Sequence, residues 1–197
     1  MESTGDNSAR ERVLVVAERL FAERGYAAVT LRDIAAEVGL KHASLYHHVP
    51  GGKEALFIEV TERSMAHHRA GLEQAIIEAG PDVRSQLRGV ADWLISHPPM
   101  DLIRMSHADM PAIEPGQARR LSELTYEALL LPVERVLVEA QSRGEIEHDN
   151  PGLIGGGLLG MLESLHAIPD YALESPNQRH TFAYEMIDVV LNGLRPR

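Results

Sequence analysis

The chain has 197 residues, no cysteine, 44% hydrophobic and 24% charged residues, and a formal net charge of −10 at pH 7. Such a chain can form one or two globular domains with a sizeable core, while the missing cysteines exclude disulfides, thiolate zinc sites and a cysteine nucleophile, and fit a reducing cytoplasm. The acidic balance argues against a partner held mainly by charge, since phosphate binding of that kind wants a basic surface.

The first residues, 1–8, are polar and acidic, unlike a secretory signal, and are expected to be disordered. Val13, Leu14, Ala17, Leu20 and Phe21 then recur at helical spacing, and Gly25 stops that helix. Thr30 with Asp33 three residues on is a capping-box start for a second helix that turns Ile34, Ala35 and Val38 inward. Gly39 supplies a turn. Between Leu40 and His48 the single buried candidate is Leu45, which leaves Lys41, His42, Ser44, Tyr46 and His47 outward. Helix, four-residue turn and short second helix is the layout of a helix-turn-helix that reads a DNA major groove. An ordinary corner between two core helices is the alternative for the same pattern.

Everything downstream also reads as helix. A long fourth helix runs from Lys53 to about Glu78 and is stopped by Gly80-Pro81; the next spans Asp82 to Ser96, ahead of Pro98-Pro99. A shorter helix is expected from Met100 to about Ala108, then a loop from Pro111 to Gly116. Gln117 to Arg143 has helical apolar spacing with Pro132 as a kink, and Asn150-Pro151 starts another helix. Pro169 and Pro176 bracket a loop, and Gln178 to Leu194 is the last helix. The most apolar window, Gly152 to Ile168, is broken by Glu163 and His166 and is too short to span a bilayer. The expected class is all-α: a disordered tail over 1–8, a helix-turn-helix head over 9–52 and a helical body over 53–197.

Ala17-Glu-Arg-Leu-Phe21-Ala-Glu-Arg-Gly25-Tyr26, Asp33-Ile34-Ala35, Leu45-Tyr46-His47-His48 and Lys53-Glu54-Ala55-Leu56 closely resemble the N-terminal signature of the tetracycline-repressor (TetR) family. The resemblance implies a transcriptional regulator that binds operator DNA with its head, binds a small effector in its body and dimerises through its last two long helices. It implies no enzyme activity and no cofactor, and leaves repression against activation open, with repression expected. Tyr46 and His47 stand where family members contact the DNA backbone. A phenol and an imidazole can each bond a phosphate oxygen and set register without reading sequence.

Two departures from the family pattern stand out. Lys41 replaces a small hydroxyl residue that would cap the recognition helix; lysine cannot cap, and its charge opposes the helix dipole by roughly 0.3–1 kcal/mol. Its retention at the groove-facing end makes it, with His42, a candidate for base contact, a solvated lysine being the alternative. Val49-Pro50-Gly51-Gly52 lacks the usual aromatic and carries one extra residue, which leaves the register of Lys53 open. Lys53 itself, at a helix N-terminus, suits an anion. Thr30, Arg32 and Ser44 complete the expected DNA face. Charge there is weak: residues 1–60 hold seven Arg and Lys against nine Asp and Glu, but residues 30–53 are net +1, whereas residues 61–197 are net −8.

In the body, Met65, Trp93, His97, Met100, Met105, Tyr126, Met161 and His166 are candidates for an adaptable apolar effector pocket, ordinary bundle core being the alternative for each. Gly152, Gly156 and Gly160 recur every four residues beside Leu159, and Phe182, Met186 and Val190 line the final helix; together they are the expected interface of a homodimer. The reading from another class is a helical-bundle metal-binding protein or enzyme. It draws on the Glu-x-x-His pairs Glu145/His148 and Glu163/His166. The first pair straddles a turn and the inward glutamates that would complete such a site are not evident, so no metal residue is assigned.

Overall fold

In the computed structural model residues 3–194 are described, with side chains from Ser8 onward. The helices in chain order are α1 (Ser3–Ala28), α2 (Leu31–Val38), α3 (His42–His48), α4 (Gly52–Glu78), α5 (Val83–Ile95), the short α6 (Leu102–Arg104), α7 (Pro115–Thr125), α8 (Leu131–Ser142), α9 (Pro151–Ser164) and α10 (Gln178–Gly193). No strand occurs among the described residues, so the all-α class holds. None of the described helices is long and apolar enough to cross a membrane. Helix α1 is described from Ser3, so the disordered tail expected over 1–8 is helical beyond its first two residues, which lie outside the described range. Extending a formed helix costs no new nucleus.

The chain forms two compact units. The first comprises residues 1–65 and 100–124, the second 66–99 and 125–197. Helix α4 is continuous across the division. The sequence placed everything after residue 52 in the body; the structure instead packs residues 100–124 with the helix-turn-helix. The first unit's core is Leu20, Phe21, Val29, Ile34, Leu45, Leu56, Phe57 and Val60, completed by Met110, Ile113 and Leu121. A domain of about fifty residues buries too small a share of its surface to be comfortably stable, and those three later side chains enlarge its core.

Residues 100–113 differ from the plain helix expected there. Asp101, at φ 42, caps α6 by accepting the Arg104 N–H at 3.1 Å. The chain then widens into a π-helical turn at Met105–Asp109 and tightens into a 3-10 turn at Met110–Ala112. The kink expected at Pro132 takes a similar form. A second π-helical turn, Tyr126–Leu130, lies between α7 and α8, just ahead of the proline. Pro132 has no N–H to give the carbonyl four residues back, and a wider turn accommodates that loss.

In the second unit α5 packs against α8, α9 and α10 through Leu87, Val90, Ala91 and Leu94. Those helices bury Val133, Val136 and Leu137, Leu158 and Leu162, and Ala183 and Ile187. Polar ties fix the rim. Tyr184 donates its hydroxyl to Asp92 at 2.7 Å while Arg88 lies 4.7 Å over its ring, and Arg84 pairs with Asp188. Burial, then the Asp92 bond, pushes the Tyr184 phenol up to about 12. Glu145 accepts the Val83 N–H at 2.9 Å and the Arg143 guanidinium, which engages one of the carboxylates considered for a metal.

The sole tryptophan, Trp93, lies flat on α4 at Gly71, where a Cβ would overlap the indole. Replacing Gly71 with alanine should therefore lower stability by about 1–3 kcal/mol, the usual cost of overpacking. Urea unfolding followed by Trp93 emission checks this, and unchanged stability would contradict the packing.

Candidate nucleic-acid interface

Thr30 sits at the N-cap of α2 in extended backbone and closes the expected capping box. Its hydroxyl accepts the Asp33 N–H at 3.2 Å, and Asp33 accepts the Thr30 N–H at 2.8 Å. The Thr30 hydroxyl also donates to the Asp33 carboxylate, and that bond, followed by the one from the Thr30 backbone, holds this carboxyl below its usual range. Thr30 is thus engaged in folding the helix start. Gly39, at φ 76 and ψ 28, ends α2; its N–H reaches the Ala36 carbonyl at 3.2 Å and the Leu40 N–H reaches Ala35 at 2.9 Å.

Helix α3 follows with Lys41 at its N-cap and no side-chain bond there. The missing cap is as the sequence implied. Leu45 is fully buried and Val49 nearly so, which pins the helix from one side. Lys41, Tyr46 and His47 are exposed, and His42 and Ser44 half-buried. His42 and Tyr46, one turn apart, meet edge to face at 5.2 Å. The sequence reading missed this pair, although aromatic groups at i and i+4 are its ordinary signal.

Gly52, just ahead of Lys53, takes φ +73 at the start of α4. The Lys53 ammonium lies 4.2 Å over the ring of Tyr26. Burial lowers its pKa, and the nearby Asp109 and Asp33 charges oppose that shift. Of the two acids between residues 30 and 53, Asp33 is closed onto Thr30 and Glu37 pairs with Arg19 at 2.7 Å. Arg32 and Lys41 remain exposed.

The effector candidates divide between the two units. Met65, Met100 and Met105 belong to the first unit, where Met105 packs against the core of the head. Trp93, His97, Tyr126, Met161 and His166 belong to the second. There the indole N–H of Trp93 donates to Nδ1 of His68 at 3.2 Å, and its rings stack on His97 at 3.9 Å. His97 Nδ1 contacts the Trp93 carbonyl at 2.7 Å, and His166 Nε2 lies 3.3 Å from that of Leu94. Tyr126 donates to Glu134 at 2.7 Å, and Met161 is half-buried on α9. His68 was missed, though Met65, His68 and Leu72 recur at helical spacing and all three are buried.

The expected dimer residues also divide. Gly156 and Gly160 are exposed, whereas a Cβ at Gly152 would meet the Glu134 carboxylate and Leu159 is buried within its own unit. Phe182, Met186 and Val190 are half-buried on α10, next to exposed Val189; Leu153 on α9 is equally bare.

Burial, followed by the charges of His97 and His67, lowers the His68 pKa from 6.5 to about 4. Between those values the unfolded chain holds a proton that the folded chain refuses. Stability is therefore full above about pH 6.5 and falls as pH drops toward 4, by up to roughly 3 kcal/mol. Denaturant unfolding across this range should show the loss, and His68→Gln should flatten it.

Residues 13–60 match the family model described as bacterial regulatory proteins, tetR family. The HTH-type transcriptional repressor KstR2 of Rhodococcus jostii is 36% identical over 89 residues, 45% of this chain and 43% of that protein. The matches span less than half the length of the first curated relatives. PfmR, a TetR family transcriptional regulator of Thermus thermophilus, superimposes with a TM-score of 0.69 at 23% identity, over 94% of this chain and 100% of its own. AibR, in complex with isovaleryl coenzyme A and operator DNA, superimposes with a TM-score of 0.72 at 18% identity, over 92% of this chain and 97% of its own. At these identities the likeness is one of fold.

Proposed function

From the match of residues 13–60 to the tetR family of bacterial regulatory proteins, we propose that the chain is a homodimeric repressor of that family, released from a DNA operator by a small, mainly apolar molecule. The observation that carries this reading is α3, in which Leu45 is the one buried residue while Lys41, Tyr46 and His47 are exposed. A helix held in this way serves a partner better than it serves a core. Tyr46, His47 and Lys53 hold phosphates and set register; Lys41, His42 and Ser44 face base edges, with Arg32 adding charge from α2.

A dimer places two such helices in successive major grooves, so the operator is a pseudo-palindrome. Its interface uses α9 and α10. Exposed Gly156 and Gly160 allow close backbone approach, and Leu153, Phe182, Met186, Val189 and Val190 supply apolar surface. Leu159 and Gly152, engaged within their own unit, support it from behind.

The effector site lies in the second unit, near Trp93, His97, Tyr126, Met161 and His166, where flexible and aromatic side chains suit an apolar guest and histidine a polar group. The AibR complex supports the pairing of organic ligand and operator on this fold. Helix α4, common to both units, is the proposed relay. The effector must prefer the DNA-incompetent state, and couplings of about 1–3 kcal/mol are usual. A regulator of this kind works in the cytoplasm.

Two measurements test the reading. Tyr46→Ala and His47→Ala should weaken binding to all duplex sequences alike in a titration at fixed salt, whereas changes at Lys41 or His42 should shift sequence preference. Unchanged affinity in both alanine variants would sink the assigned face. Gly156→Leu should dissociate the dimer in light scattering; a fully folded dimer of that variant would place the interface elsewhere.

A further inference from the structure

We propose that Arg104 and Asp109, neither of them on the helix-turn-helix, position Lys53 for its phosphate contact through the Gly25 turn and the Tyr26 ring, and so set DNA affinity without touching DNA. The inference rests on the reading of Lys53 as a phosphate ligand.

The regular part of α1 ends at Gly25, whose φ of 80 and ψ of 163 lie in a region open essentially to glycine alone. The carbonyls of Phe21 and Ala22, in the turn before it, accept from Nη2 of Arg104 at 3.2 and 2.6 Å. A guanidinium suits the negative end of a helix dipole. The other nitrogens of Arg104 are also engaged: Nη1 lies 3.3 Å from Asp101 and Nε 3.5 Å from Asp109. Asp109 is buried, and its second oxygen accepts the Tyr26 N–H at 2.8 Å. Arg104 therefore holds the chain before the turn and Asp109 holds it after. A Cβ on Gly25 would come within 3.1 Å of Asp109 and 3.2 Å of Arg104, so the clamp closes on a bare backbone.

Tyr26, fixed in this way, places its ring 4.9 Å from Phe57 and directly under the Lys53 ammonium at 4.2 Å. An ammonium over an aromatic face is attracted by the ring quadrupole and loses some of its wide freedom. Asp109 acts a second time, because its negative charge favours the charged form of Lys53 that a phosphate requires. A clamp serving stability alone would strengthen the turn but would have no reason to lead, link by link, to the one cation at the start of α4.

Lys41 and Lys53 are the only lysines, so reductive methylation with 13C gives two resolvable lysine signals, assigned with Lys41→Arg. The Lys53 methyls should be displaced by the Tyr26 ring current in the protein with no substitution and should lose that displacement in Arg104→Gln. The DNA probe is a duplex selected by the unsubstituted protein from a random-sequence pool. Lys53→Gln should lower affinity and reduce the slope of log K against log salt by about 0.9 for each phosphate it no longer neutralises. Arg104→Gln should reproduce both effects, and the double variant should bind no more weakly than Lys53→Gln alone. If Arg104→Gln does not fold, Arg104→Lys and Asp109→Asn carry the same readings. A folded Arg104 variant that keeps the methyl displacement and the salt slope overturns the proposal. Should Lys53→Gln leave affinity and slope unchanged, the phosphate reading fails and takes the DNA role of the clamp with it; the methyl signal still separates that failure from a failure of positioning.

Discussion

A helix-turn-helix of about fifty residues cannot bury enough apolar surface to hold itself firmly, and this shortage shapes the first unit. Domains of that size hide only about 60% of the surface their unfolded chain exposes. Here Met110, Ile113 and Leu121 complete a core begun by Leu20, Phe21, Ile34, Leu45 and Phe57. Residues about ninety positions apart in sequence thus become one folding unit. Burying Met110 beside the head brings Asp109 and Arg104 with it, and the polar clamp at Gly25 follows from that apolar contact.

The face proposed for DNA carries little charge. Leu45 anchors α3, and the surrounding acids are occupied: Asp33 by Thr30, Glu37 by Arg19, Glu59 by Arg10 and Glu11 by Arg63. The exposed ion pairs at Glu37, Glu59 and Glu11 contribute little to stability. A weakly basic face of this kind has to draw specificity from placed hydrogen bonds and base contacts, which makes the orientation of a few side chains matter more than their number.

The second unit uses polar groups differently. Glu145, Asp188 and Asp92 each tie neighbouring elements through a backbone N–H, a guanidinium or a phenol. The His68–Trp93–His97 arrangement is the exception, a group of titratable and aromatic side chains placed against the bare backbone of Gly71. Burial favours the neutral form of its histidine, whose Nδ1 accepts the indole N–H.

Local signals carried much of the architecture. Helical spacing from Val13 to Phe21, the Thr30–Asp33 capping box, the glycines at 25 and 39, and Leu45 as the lone anchor of α3 are decided within a few residues of each other, where propensity and hydrogen-bond geometry act. The same holds for the starts of α5 and α9, where Asp82 and Asn150 cap. Sequence could not decide which distant segment would fill the head's core, because Met110, Ile113 and Leu121 look like any other helical apolar residues until a complementary surface is present. It could not see that the widened turn at Met105–Asp109 would aim Arg104 and Asp109 at Gly25, nor that Gly152 and Leu159 would be occupied within their own unit. Burial is a property of the assembled chain, and contacts between residues eighty positions apart depend on where every intervening helix ends.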